Sequence, residues 1–177
     1  MLSPALGLFF VLAAYGSSPT PSPPDLTVWW RTVGAEVIEH HTETGARACS
    51  LVLHHSDNVL MFMWPQHGQP TLFVRHPGWH FGDQQGATDL QINVGNAGRG
   101  PGLGDGVTTQ LPAADFQDWV RAQLDQTLAQ VLPTEDEIRV ALPGGQFSPV
   151  SFSIDQERMP AVMRGLDKCK TALGVAG

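Results

Sequence analysis

Apolar and polar residues alternate with a period of two in several stretches of the chain, the pattern of strands that bury one face. Leu90, Ile92 and Val94 alternate with Gln91 and Asn93. Ile138, Val140 and Leu142 alternate with Arg139 and Ala141, and Val150, Phe152 and Ile154 with Ser151 and Ser153. Cys49, Leu51 and Leu53 share one face of a strand expected over residues 47–54. Residues 59–64 are apolar on both faces, which suits a central strand. Leu72 and Val74 mark another strand, and Leu26 to Val33 the first.

Two segments carry helical spacing instead. From Ala114 to Val131, the residues Phe116, Trp119, Val120, Leu124, Leu128 and Val131 fall on one stripe. Asp115 and Asp118 would sit in its first turn, favoured by the helix dipole, and Pro133 would stop it. A second helix is expected after Asp155, a capping residue. Its Met159, Val162, Met163, Leu166 and Cys169 recur every three or four positions, which turns Cys169 to the core. The stretch from Gly95 to Gly106 holds six glycines and reads as a loop. Strands, a helix, a strand pair and a final helix predict an α+β fold, mainly antiparallel β and sandwich-like. They do not match the strand–helix alternation of a parallel sheet.

The first 24 residues read as an address. Ala5 to Tyr15 is almost uniformly apolar, too short to span a bilayer, and of signal-peptide length. Ala14 and Gly16 are the small residues a signal peptidase accepts, so residues 1–16 are expected to be a signal peptide. Ser17 to Pro24 follows as a Pro/Ser linker that can continue neither helix nor central strand. Residues 25–175 are then one β-rich domain. No second apolar segment is long enough for a transmembrane anchor. The expected location is periplasmic or secreted. Two cysteines in an exported chain are expected to pair, so Cys49 and Cys169 should tie an early strand to the last helix.

Ten basic and seventeen acidic residues give a net charge of −7. That balance, without a Lys/Arg cluster, argues against a nucleic-acid partner and an anionic membrane surface. The seven histidines all lie between His40 and His80. Imidazole is the commonest metal ligand, and His54, His55, His67, His76 and His80 are the candidate set for zinc or copper. HExxH is absent, and adjacent histidines on a strand face opposite ways. Solvated loop and strand-end histidines are the competing expectation.

Gly98, Gly100, Gly102, Gly104 and Gly106 alternate around Pro101, which is not the strand–turn–helix context of a dinucleotide fingerprint. No nucleophile elbow occurs, and no Ser-His-Asp set stands out. Glu135-Asp136-Glu137 reads as a solvated turn before a strand. Trp29, Trp30, Trp64 and Trp79 are explained by core packing at least as well as by a ligand groove. The segment His76-Pro77-Gly78-Trp79-His80-Phe81 is expected to be an exposed aromatic loop, with Trp79 and Phe81 as partner-binding residues.

A tryptophan-bearing first strand precedes a Cys-led one (Ala48-Cys49-Ser50-Leu51-Val52-Leu53). A Pro77-Gly78-Trp79 stretch and a strand ending near Val94 follow, and Phe152-Ser153-Ile154, a helix and Cys169 close the chain. Over residues 25–172 this pattern resembles the invasion-associated locus B family of bacterial exported proteins. The chain departs from it at Asp155-Gln156, where such proteins carry a small Gly-containing step, and in its histidine cluster. The resemblance implies a β-rich, non-enzymatic envelope protein whose partner is another envelope protein or a small ligand. It implies no catalytic residues, and no cofactor is expected beyond the zinc or copper of the histidine alternative. A metal-binding protein built on the histidines and an uncharacterised hydrolase are the alternatives.

Overall fold

The computed structural model describes residues 26–41, 45–95, 107–145 and 147–175. The expected signal peptide, the Pro/Ser linker and the glycine-rich segment after Gly95 lie outside these residues. Eight strands come first: β1 (Thr27–Thr32), β2 (Ala35–His41), β3 (Arg47–His55), β4 (Asn58–Pro65), β5 (Thr71–Arg75), β6 (Gly86–Gly95), β7 (Val107–Phe116) and β8 (Trp119–Gln123). Helix α1 (Gln126–Val131) and a 3-10 turn at Leu132–Thr134 lead into β9 (Glu137–Ala141), β10 (Val150–Ser153) and helix α2 (Met159–Leu173).

All strands join one antiparallel sheet in the order β1-β2-β3-β4-β5-β8-β7-β6-β9-β10. Register follows the alternation read from the sequence. Leu53, Leu60, Val74 and Val120 stand opposite one another across β3, β4, β5 and β8, and Leu51, Phe62, Leu72 and Ala122 form the next row. Ile92 faces Val140, which faces Val150; Val94 faces Ile138, which faces Phe152. A one-residue slip would turn each row to the opposite face. These rows share one core, and β10 packs against β3, so the sheet curls into a sandwich-like closure. The expected fold class holds.

Helix α2 lies across β1, β2 and β3. Its Met159, Val162, Leu166, Cys169 and Leu173 are buried at helical spacing. Asp155 caps the turn ahead of the helix: its Oδ1 accepts from the backbone N–H groups of Glu157 and Arg158 at 3.1 and 3.3 Å. Gly174 ends α2 with φ +67°, the left-handed conformation that favours glycine. Cys49 and Cys169 are bonded, with Cα atoms 6.0 Å apart and a sequence separation of 120. No helix among the described residues is long and apolar enough to cross a membrane.

The helix expected over residues 114–131 is a hairpin followed by a short helix. β7 runs to Phe116, Gln117 turns at φ +57°, β8 returns over Trp119–Gln123, and only Gln126–Val131 is helical. Val120, Ala122 and Leu124 are buried while Arg121 and Gln123 are exposed. The same residues therefore satisfy period two as well as the helical stripe, and pairing of β8 with β5 decides between them. The two aspartates have other tasks: Asp115 Oδ1 accepts from Gly86 N at 3.2 Å, and Asp118 pairs with Arg75. Glu135, expected in a solvated turn, is only 2% exposed, and Gln156 from the approach to α2 donates to its carbonyl oxygen at 2.8 Å.

Candidate functional site

An antiparallel sheet with one core face ordinarily turns polar residues outward on the other. Here the outer face of the central strands carries a patch of large apolar side chains, Met61, Met63, Phe73, Phe116 and Trp119, among polar ones. Val52, Met61, Phe73, Arg121, Ala114 and Ala87 stand opposite one another across β3, β4, β5, β8, β7 and β6. In the next row Ile38, Ser50, Met63, Thr71 and Gln123 are aligned. On the other side Arg75 faces Trp119, which faces Phe116.

Two adjoining hollows are cut into this face. One, of about 490 Å³, is lined by Met61, Phe73, Gln85, Phe116, Trp119 and the floor residues Ala114 and Arg121. The other, of about 500 Å³, shares Phe73, Ala114 and Arg121 and adds Met63, Thr71, Pro112 and Gln123. Together they form one open groove. Phe116, at 42% exposure, is among the few large apolar side chains left in solvent. Beside the groove, Arg75 Nε donates to Asp118 Oδ2 at 2.7 Å, and its guanidinium lies 5.9 Å from the Trp119 ring centre. Among the described residues the lining includes no carboxylate, imidazole or thiol.

The candidate metal ligands are divided between opposite ends of the sheet. His54 and His55 end β3, and the register places His76, just after β5, at that same end. His67 lies in the β4–β5 turn at the other end, beside the start of β3, near which His40 and His41 also stand. Among the described residues no group of three His, Cys, Asp or Glu is placed to hold a metal ion. Several of the imidazoles are engaged elsewhere. His54 Nε2 is 3.4 Å from Glu36 Oε1, and His76 Nδ1 accepts from Gly78 N at 2.9 Å while its ring stacks on Trp79 at 5.5 Å. A cleft beside His54 and His55 encloses about 100 Å³, below the roughly 300 Å³ at which small-ligand sites begin.

The aromatic loop after β5 is turned inward. Trp79, expected at the surface, is fully buried, and its Nε1 donates to Ser148 O at 3.3 Å. Phe81 is half-buried, edge-on to Trp79 at 6.3 Å and to Phe147 at 5.3 Å. The segment before β10 supplies this cover, a partner 69 residues away that local Pro-Gly chemistry does not announce. Trp64 is likewise core, with the Lys170 ammonium 5.4 Å from its ring centre.

Glu39 links three strands at the edge of the sheet. Trp29 Nε1 donates to its Oε2 at 3.0 Å and Arg47 Nε to its Oε1 at 2.7 Å. Burial works to raise the Glu39 pKa, but the Arg47 and Trp29 hydrogen bonds and the nearby positive charge outweigh it and hold the carboxyl below its ordinary range. Neighbouring His40 is shifted down, first by burial and then by His41, and its Nδ1 is buried without a hydrogen-bond partner.

Compared with protein-family models, with curated proteins and with solved structures, the chain finds no match. The site therefore stands on its own geometry. The groove residues Met61, Phe73, Phe116, Trp119 and Arg121 were not singled out as a site by the sequence. Its one trace there is the run of residues 59–64, apolar on the face that should be polar.

Proposed function

We propose that the chain is an exported, disulfide-braced binding protein of the bacterial envelope that acts without catalysis, as its resemblance to the invasion-associated locus B family implies. The observation that carries this reading is the outer-face groove, of ligand size, walled largely by apolar side chains and, among the described residues, without a carboxylate, imidazole or thiol. The Cys49–Cys169 bond agrees with an oxidising compartment. The apolar run from Ala5 to Tyr15 supplies the route there.

Two measurements test it. Cell fractionation followed by intact mass should find the chain outside the cytoplasm, beginning near Ser17 and two hydrogens lighter than the dithiol form. An uncleaved, reduced, cytoplasmic chain would overturn the export reading. Native mass spectrometry of protein recovered from its own envelope fraction should show a bound species that is absent from Ala114→Trp, which fills the groove floor. A bound species retained by that variant would move the site elsewhere.

A further inference from the structure

The groove is chemically lopsided. Among the described residues Arg121 is the one charged side chain lining either hollow, and both hollows share it. It makes no ion pair or side-chain hydrogen bond with another described residue. Arg75, one row away, is neutralised by Asp118 at 2.7 Å. On one side of Arg121 the walls are Met61, Phe73, Phe116 and Trp119, with Gln85 as the single polar side chain. On the other side Thr71 and Gln123 offer hydrogen-bonding groups.

A neutral apolar ligand laid over this floor would cover the guanidinium without giving it a partner, which is costly. A cationic one would be repelled. A carboxylate meets the planar guanidinium with paired, charge-assisted hydrogen bonds, and the apolar surroundings strengthen that attraction relative to water. Because the chain as a whole carries a charge of −7, the attraction is local to Arg121 and is not a property of the general surface.

We infer that the groove takes an amphipathic organic acid, its carboxylate on Arg121 and its apolar body in the hollow walled by Phe116 and Trp119. This deepens the binding reading above and rests on it. The acid is of small-ligand size, since the hollow of about 490 Å³ falls within the roughly 300–1,000 Å³ such sites occupy.

The test is calorimetric titration of the oxidised protein with dodecanoate below its micelle-forming concentration. Dodecanol supplies the same chain without charge, and acetate the same head without the chain. The expected result is one saturable dodecanoate site, weakened by about tenfold or more in Arg121→Gln and partly restored in Arg121→Lys. Dodecanol should bind wild type far more weakly than dodecanoate does and no more tightly than it binds Arg121→Gln, and acetate should not saturate. Circular-dichroism melts of each variant confirm that it is folded, and Phe116→Ala, on an exposed residue, gives a second reading of the apolar half.

Equal dodecanoate affinity in wild type and Arg121→Gln would overturn the inference, as would dodecanol binding as tightly as dodecanoate. The latter result would leave the groove as a binding site for neutral ligands. No saturable dodecanoate binding at all would overturn this inference alone, because the fractionation and native-mass tests above use no amphiphile.

Discussion

Gly165 on α2 lies so close to Trp30 on β1 that a Cβ added to the glycine would sit 2.7 Å from the Trp30 Cβ. The obstructing atom is next to the backbone and cannot swing aside. Alanine is normally better than glycine inside a helix by about 1 kcal/mol. At this position the expected outcome has the opposite sign: Gly165→Ala should lose about 1–3 kcal/mol through overpacking. Urea unfolding measures it, and an unchanged or higher midpoint would mean that α2 can shift off β1.

The disulfide closes a long loop and so constrains the unfolded chain strongly. The chain-entropy treatment gives about 4–5 kcal/mol for a loop of this order. Replacing both Cys49 and Cys169 by alanine should lower stability by up to that amount, and reducing the native protein should give a similar midpoint. Equal midpoints with and without reductant would remove the bond from the account of stability.

Acidification should destabilise the fold in two steps. His40 is held below its ordinary value of 6.5, so the unfolded chain takes up its proton first, and stability falls as pH drops below about that value. Glu39 is held below its ordinary 4.5, so its stabilisation is present above that pH and is lost as pH falls further, through its lowered folded value. Thermal melts from pH 8 to pH 3 should show both limbs. His40→Gln should flatten the upper limb and leave the lower; a variant that keeps both would assign the first step to another group.

Gln117 turns the β7–β8 hairpin at φ +57°, a conformation that costs a non-glycine residue about 1–2 kcal/mol. Glycine relieves that cost and gives back part of it through its freer unfolded state. Gln117→Gly is therefore expected to stabilise by up to about 1 kcal/mol, read as a higher melting temperature. A loss of stability would show that the Gln117 side chain contributes more than its backbone costs.

Much of the sheet was legible because strand burial leaves a local trace. The alternations at Leu90–Val94, Ile138–Leu142 and Val150–Ile154 became β6, β9 and β10, and the stripe through Met159 and Cys169 became α2. Residues 114–131 misled because Phe116, Trp119, Val120 and Leu124 happen to satisfy two periods, and only pairing with β5 selects one. Trp79 misled because what buries it, Phe81, Phe147 and Ser148, is assembled from distant segments. The groove was hidden for a similar reason. Met61, Phe73 and Arg121 are unremarkable within their own strands and meet only through the register of β4, β5 and β8.

The bond between Cys49 and Cys169 also decides how the molecule responds to tension. Force applied at its two ends runs along the chain to Cys49, crosses the sulfur bridge to Cys169 and leaves through the last turn of α2. β4 to β10, and with them the groove, lie inside the covalent loop and carry no load along the backbone. Only β1, β2 and the end of α2 can be peeled away. A tether pulled at both ends would therefore lengthen by its outer segments alone, while the ligand-sized hollow kept its shape until the bridge was reduced.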